Sequence, residues 1–173
     1  MGPMIIAPKT KLLKQRQGNA PTIVQILPAM VRGGVERGTV EMADAIQKHG
    51  GRAIVISCGG PMVRHLDRLG ATHYQLDVHA KNPFRWPQVR SRLKTILSRE
   101  KADLVHVRSR VPAWIALPAA AALGIATVST VHGRFTTLSA LKRIYNRKLL
   151  KTDHVIAISN YVKDLITSPI CRG

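Results

Sequence analysis

Six short runs rich in Val and Ile alternate with helical stretches along this chain of 173 residues, and that alternation limits the fold more than any other feature. TIVQIL at 22–27 reads as a strand, followed by a loop with Gly33 and Gly34 and a helix over 35–49. RAIVIS at 52–57 opens the second unit, with a short helix over 61–70 ended by Gly70 and an alternating strand, THYQLDV, at 72–78. Beyond HAKNPFRWP come a helix over 88–100, the strand ADLVHVRS at 102–109 and an Ala-rich helix over 112–123 ended by Gly124. IATVSTVHG at 125–133, a helix over 137–151, DHVIAIS at 153–159 and the opening of one more helix complete the pattern. Continuous runs such as AIVI and HVIAI call for burial on both faces, as in a parallel sheet covered by helices. The expected fold is therefore α/β, a Rossmann-like doubly wound parallel sheet of about six strands with helices on both faces. In such sheets ligands bind beyond the carboxyl ends of the strands, so functional residues are sought there.

Charge narrows the company the domain keeps. Against 27 Lys plus Arg stand 9 Asp plus Glu, a formal net charge of +18, which calls for anionic partners: nucleic acid, lipid headgroups or phosphorylated small molecules. With 4% aromatic residues, no zinc-ligand spacing and no helix-turn-helix outside the sheet pattern, specific nucleic-acid recognition has no platform and is not expected. Cys58 and Cys171 stand far apart, which fits neither a disulfide framework nor a metal cluster and points to a cytoplasmic location. Residues 1–21 read as a basic N-terminal arm without fixed structure, since their apolar stretch is too short for a signal peptide. The apolar stretch 111–128 contains Pro112, Pro118 and Gly124 and is rich in Ala, so it reads as a buried helix and a strand rather than a membrane span.

Two basic clusters stand out. Lys142, Arg143, Arg147, Lys148 and Lys151 share a helix whose Leu138, Leu141, Ile144, Tyr145 and Leu149 supply an apolar stripe. Arg85, Arg90, Arg92, Lys94, Arg99 and Lys101 surround or follow the aromatics Phe84 and Trp86, which read as exposed. That composition suits an anionic membrane interface, although solvated helix faces would read the same way.

Candidate chemistry lies at the strand ends. Gly33 and Gly34 offer bare backbone N–H groups at a helix start, fit for a phosphate or a sugar, or simply for a tight turn. The spacing Gly33, Gly34, Gly38 is not that of a dinucleotide loop, the second strand ends in Ser57, Cys58 and Gly59 without a ribose-binding acid, and Glu36 and Arg37 replace the Lys and Ser or Thr of a P-loop. Period-two alternation puts His106 and Arg108 on one face of their strand; His106 reads as a hydrogen-bonded core histidine, and Arg108 as a ligand-facing or a solvated charge at the tip. His132 is the sharpest candidate, an imidazole beside Gly133 and Arg134, with an ordinary pKa near neutrality that suits proton transfer or a hydrogen bond to a sugar hydroxyl or phosphate. Ser159 either caps the last helix or faces the site.

TIVQILPAMVRGGVERGTVEMADAI, ADLVHVRSR, TVSTVHGRF and DHVIAISNYVKDLI, in this order, resemble the N-terminal domain of the family 4 retaining glycosyltransferases. The resemblance covers residues 22–167, and the double glycine followed by Val-Glu-Arg is its most specific piece. It implies one half of a GT-B fold and transfer of a sugar from a nucleotide-sugar donor to an acceptor, often a lipid or lipopolysaccharide intermediate, with no cofactor. Carried over position by position, it implies that His132 sits beside the transferred sugar as the catalytic residue, while Gly33, Gly34, Arg108, Arg134 and Ser159 line the substrate cleft. The donor would be held mainly by a second domain carrying an acidic pair, so the resemblance implies a chain that is inactive alone, with 168–173 as a truncated tail. A cytoplasmic domain docked on the inner face of the plasma membrane is the implied location. The alternative is a non-catalytic basic module that binds phosphorylated ligands, anionic lipid or a partner chain.

Overall fold

A computed structural model describes residues 4–6, 20–80, 82–133 and 140–167, with side chains placed over 20–80, 82–133 and 144–167. The elements are β1 (Met4–Ile6), β2 (Thr22–Ile26), α1 (Gly34–Lys48), β3 (Arg52–Ser57), α2 (Val63–Arg68), β4 (Thr72–Gln75) and α3 (Trp86–Arg99). They continue with β5 (Leu104–Val107), α4 (Arg110–Ala122), β6 (Ala126–Val131), α5 (Ala140–Arg147), β7 (His154–Ala157) and α6 (Asn160–Thr167). One sheet runs in the order β1-β7-β6-β5-β2-β3-β4. All neighbours from β7 to β4 are parallel, so the six expected strands form the expected doubly wound sheet.

The chain builds outward from β2 to β4, crosses back through α3, and builds outward again from β5 to β7. The order therefore switches direction between β2 and β5, where Ile23 to Ile26 pair with Leu104 to Val107. Side-chain alternation divides the core. Val24, Ile26, Ile54, Ile56, Val105 and Val107 join Val89, Leu93 and Leu97 of α3 and Ile115 of α4 in one cluster. Ala53 and Val55, offset by one residue, join Ala43 and Ile46 of α1 and Leu66 of α2 in the other. At the amino ends of the strands, Asp103 accepts from Thr22 N (2.8 Å), and Asp153 accepts from both the backbone N–H and the hydroxyl of Thr127 (2.8 Å each).

Three expectations are corrected. The arm over 1–21 is not without structure throughout: Met4–Ile6 pairs antiparallel with β7, because the outer backbone groups of that strand would otherwise stand as an unpaired edge. Trp86 is not an exposed aromatic; its Nε1 donates to Ala80 O (2.8 Å) and its ring lies 6.1 Å from that of Trp114, which leaves Phe84, 90% exposed, as the aromatic that faces outward. Ile144 does not join the apolar stripe of its helix but is 57% exposed, whereas Leu149, in the 3₁₀ turn at Lys148–Leu150 that follows α5, is buried as expected. Lys142, Arg143, Leu138 and Leu141 lie outside the described side chains. The stretch 111–128 folds as expected into a buried helix and a strand, and no helix among the described residues is long and apolar enough to cross a membrane.

Leu93 is fully buried between α3 and the sheet. Leu93→Ala should lower the free energy of urea unfolding by about 2–5 kcal/mol; a loss under about 1 kcal/mol would contradict the packing of α3 on this face.

Candidate functional site

The loops that follow β2 and β3 are zipped together past the end of the sheet. Leu27 N donates to Ile56 O (3.2 Å), Cys58 N to Pro28 O (3.0 Å), Met30 N to Gly59 O (2.8 Å) and Met62 N to Met30 O (2.9 Å). Gly60 makes this approach possible. Its φ is +139°, and a Cβ there would come 2.4 Å from Met30 O, closer than atoms can sit. The zipped loops carry a cavity of about 810 Å³ lined by Arg32, Gly33, Gly34, Arg37, Arg64 and His65 together with Pro61 and Met62. A Cβ on Gly34 would meet nothing within 4 Å among the described residues, so the bare backbone at this point is open to an incoming molecule.

Across the switch in strand order, Arg108 follows β5 and turns under α1. Its Nη1 donates to Val35 O and to Thr39 Oγ1, both at 3.1 Å, and it is 6% exposed. Gly38 explains how a helix can ride over a guanidinium, since a Cβ there would stand 3.3 Å from that same nitrogen. Gln25, fully buried on β2, ties the same turn of helix by donating from Nε2 to Thr39 O (3.0 Å). Arg108 thus braces α1 through Nη1, while its buried Nε has no hydrogen-bond partner among the described residues, and burial lowers its pKa to about 10 against the raising influence of Glu41, which leaves it a cation at neutral pH.

Two histidines share its neighbourhood. His106 Nε2 lies 2.7 Å from Thr130 Oγ1, and burial, followed by the charge of Arg108 and the proximity of His132, lowers its pKa to about 3. His132 follows directly on β6; burial and then Arg108 lower its pKa to about 4, and its buried Nε2 has no hydrogen-bond partner among the described residues. The expectation of a pKa near neutrality is therefore corrected. Loss of hydration and a neighbouring cation both disfavour the imidazolium, so at neutral pH His132 is a neutral imidazole with a free nitrogen.

The structure brings Gly33, Gly34, Arg108 and His132 to one edge of the sheet. Ser159 emerges at the same edge, after β7 beside β6, but its hydroxyl accepts from Val162 N (3.2 Å) as the cap of α6. Arg134 lies outside the described residues. Arg32, Arg37, Arg64, His65 and Gly60 were not foreseen. A second Gly-Gly pair at 59–60, placed after the second strand as Gly33 and Gly34 are after the first, was the available signal. Among the described residues no group of three or more His, Cys, Asp or Glu is placed to hold a metal ion.

The family model described as Glycosyltransferase Family 4 matches residues 32–170. Among solved structures, a glycosyltransferase from Rickettsia africae is 34% identical with a TM-score of 0.73, covering 87% of this chain and 40% of that one. MurG of Acinetobacter baumannii is 18% identical with a TM-score of 0.58, covering 76% and 39%. Anabaena Alr3699/HepE, solved with UDP and glucose, is 14% identical with a TM-score of 0.60, covering 75% and 35%. These neighbours share the GT-B fold, and the chain spans about 40% or less of their length. No curated protein matches.

Two outcomes follow from this geometry. Gly60→Ala should destabilise the chain by on the order of 2–3 kcal/mol in urea unfolding, since it combines a disfavoured φ with a backbone clash. The folded chain holds His132 neutral to about 4 and His106 to about 3, whereas an unfolded histidine takes a proton at about 6.5. The unfolded state then binds more protons in between, so stability should fall as the pH drops from about 6.5 towards 4, and His106→Gln should flatten that fall. Histidine C2-proton NMR shifts showing either ring half-protonated above about pH 6 would contradict it.

Proposed function

The chain belongs to glycosyltransferase family 4, and on that footing we propose that it is the acceptor-side domain of a two-domain GT-B enzyme that moves a sugar from a nucleotide-sugar donor to an acceptor hydroxyl with retention of anomeric configuration. The acceptor is a lipid-linked or cell-envelope glycan intermediate, as in lipopolysaccharide assembly, and most of the donor is held by a second domain. The observation that carries this reading is the proximity of His132, after β6, to Arg108, after β5 beside the switch in strand order: a neutral imidazole with a free buried nitrogen within the field of a buried cation.

In such a transfer the sugar gains positive character at its anomeric carbon while negative charge collects on the departing diphosphate. A neutral His132 hydrogen-bonds a sugar hydroxyl and adds no charge of its own beside that carbon. A protonated one would repel it. The charge of Arg108 lies behind, fixed by Val35 and Thr39, and together with burial it keeps that imidazole unprotonated. The open backbone at Gly33 and Gly34 lets the acceptor come close. His132 acts as neither nucleophile nor acid, and the attacking hydroxyl passes its proton to the donor phosphate.

An anionic membrane surface on the cytoplasmic side supplies the lipid-linked acceptor. Phe84, 90% exposed, stands beside Arg85 at the start of α3, and Arg92, Lys94 and Arg99 are exposed along the same helix. An exposed ring flanked by cations suits the headgroup boundary.

The test of transfer is a chimaera in which this chain replaces the corresponding domain of the Rickettsia glycosyltransferase, assayed for sugar transfer. His132→Ala should lower kcat by about 10²-fold with the acceptor KM little changed; an undiminished rate would remove His132 from the reaction and leave a non-catalytic binding module. For the membrane, Phe84→Ser should reduce co-sedimentation of the chain with phosphatidylglycerol vesicles by about tenfold. Equal sedimentation would assign the attraction to charge alone.

A further inference from the structure

The two basic clusters that stand apart in the sequence meet in the fold. α4 packs against α3 on one side and against the 3₁₀ turn at Lys148–Leu150 on the other. Trp114, one turn into α4, meets both: its ring lies 6.1 Å from that of Trp86 on α3, and the Lys148 ammonium stands 5.1 Å from its centre. Arg90 follows Trp86 by one turn on the same face of α3. We infer that this groove, with Trp114 as its floor and Arg90, Lys148 and Lys151 around it, is a binding site for the phosphate of an anionic phospholipid. The inference rests on the membrane reading above and gives that contact a defined site. The groove lies on the face of the sheet that α3 and α4 cover, whereas α1 and α2 cover the other.

Orphaned donors point to an anion. The Nε of Arg90 and the Nε1 of Trp114 are buried, and neither has a hydrogen-bond partner among the described residues. Both atoms only donate, so an occupant that satisfies them must bring acceptor oxygens. Among the described residues none of the three cations forms an ion pair. They oppose one another instead: burial, then Lys151 and then Arg90 hold the pKa of Lys148 below its ordinary value. The face of the Trp114 ring offsets part of this repulsion but carries no net charge. A phosphate supplies several acceptor oxygens and the missing negative charge together.

Apolar side chains flanking the groove identify a lipid as the carrier. Phe84, 90% exposed, lies in the 3₁₀ turn that opens α3, two residues before Trp86. Ile144, 57% exposed, lies on α5 one turn before Lys148. A free phosphate would gain nothing from either. A headgroup in the groove would bring both side chains to the acyl boundary, where their burial is favourable and where indoles, apolar with one polar end, are well solvated.

Trp86 and Trp114 are the two tryptophans of the chain, so its intrinsic emission reports on this groove directly. The experiment adds vesicles of phosphatidylcholine and phosphatidylglycerol to the 173-residue chain at physiological ionic strength. A blue shift is expected, with quenching when the phosphatidylglycerol carries bromine in its acyl chains. Arg90→Gln with Lys148→Gln should weaken vesicle binding by about tenfold or more. Arg68→Gln with Lys48→Gln removes the same formal charge from α2 and α1 on the opposite face, and should change binding less than about twofold. Unshifted and unquenched emission from vesicle-bound chain, or equal weakening by the two pairs, overturns the site while leaving the membrane contact at Phe84. An equal blue shift with glycerol phosphate at matched phosphate concentration would make the ligand a soluble anion and overturn the lipid assignment. Failure of the unaltered chain to co-sediment with any vesicle would remove the membrane reading itself, and this site with it.

Discussion

A cation buried beneath the first helix governs the functional edge of this domain. Removing a guanidinium from water is costly unless its hydrogens find acceptors. Arg108 finds two, Val35 O and Thr39 Oγ1, both on the first turns of α1. Those two bonds offset part of that cost and tie the start of α1 to the charge beneath it, while Nε stays buried without a partner among the described residues. Since α1 begins at Gly34, bracing its first turns also places the double glycine. Gln25 holds the same turn from the central strand, so two neighbouring strands fasten one stretch of helix on either side of the switch in strand order.

The same charge sets the chemistry next to it. His106 and His132 lie close enough to Arg108 for its field to oppose their protonation, and burial works in the same direction. Both rings are therefore neutral across the physiological range, and they differ in what they do with that neutrality. His106 uses its Nε2 on Thr130 and belongs to the packing between β5 and β6, whereas His132 keeps its Nε2 unpartnered. One is a core histidine and the other is available to a ligand. The double-glycine loop then borders two differently charged spaces: on one side a neutral imidazole backed by a buried cation, on the other an open cavity lined by three exposed arginines.

Much of the architecture was legible because periodicity is a local property. Runs such as AIVI must be covered on both faces whatever their partners, and the Ala-rich stretch with its prolines could be told from a membrane span by composition alone. Met4–Ile6 could not be placed in this way, because three residues carry no period and their pairing depends on the free edge of a strand some 150 positions later. Phe84 and Trp86, two residues apart, looked equivalent until the fold supplied Trp114 for one of them. Arg108 and Arg37 were harder still: the tip-of-strand arginine turned inwards, and the helix arginine, passed over as a mere substitute for a P-loop residue, faces the cavity.

By itself, then, the sequence determined the order and kind of the elements, the basic character of the surface and the chain positions at which strand ends deliver glycine, arginine and histidine. Tertiary structure alone decided which of those groups are spent and which are free. Solvation is the physical reason. Whether a guanidinium braces a helix or awaits an anion, and whether an imidazole is protonated, depends on the water and charge around it, and these are fixed by residues distant in the chain: Thr39 for Arg108, Arg108 for His132, and Met30 against Gly60 for the walls of the cavity.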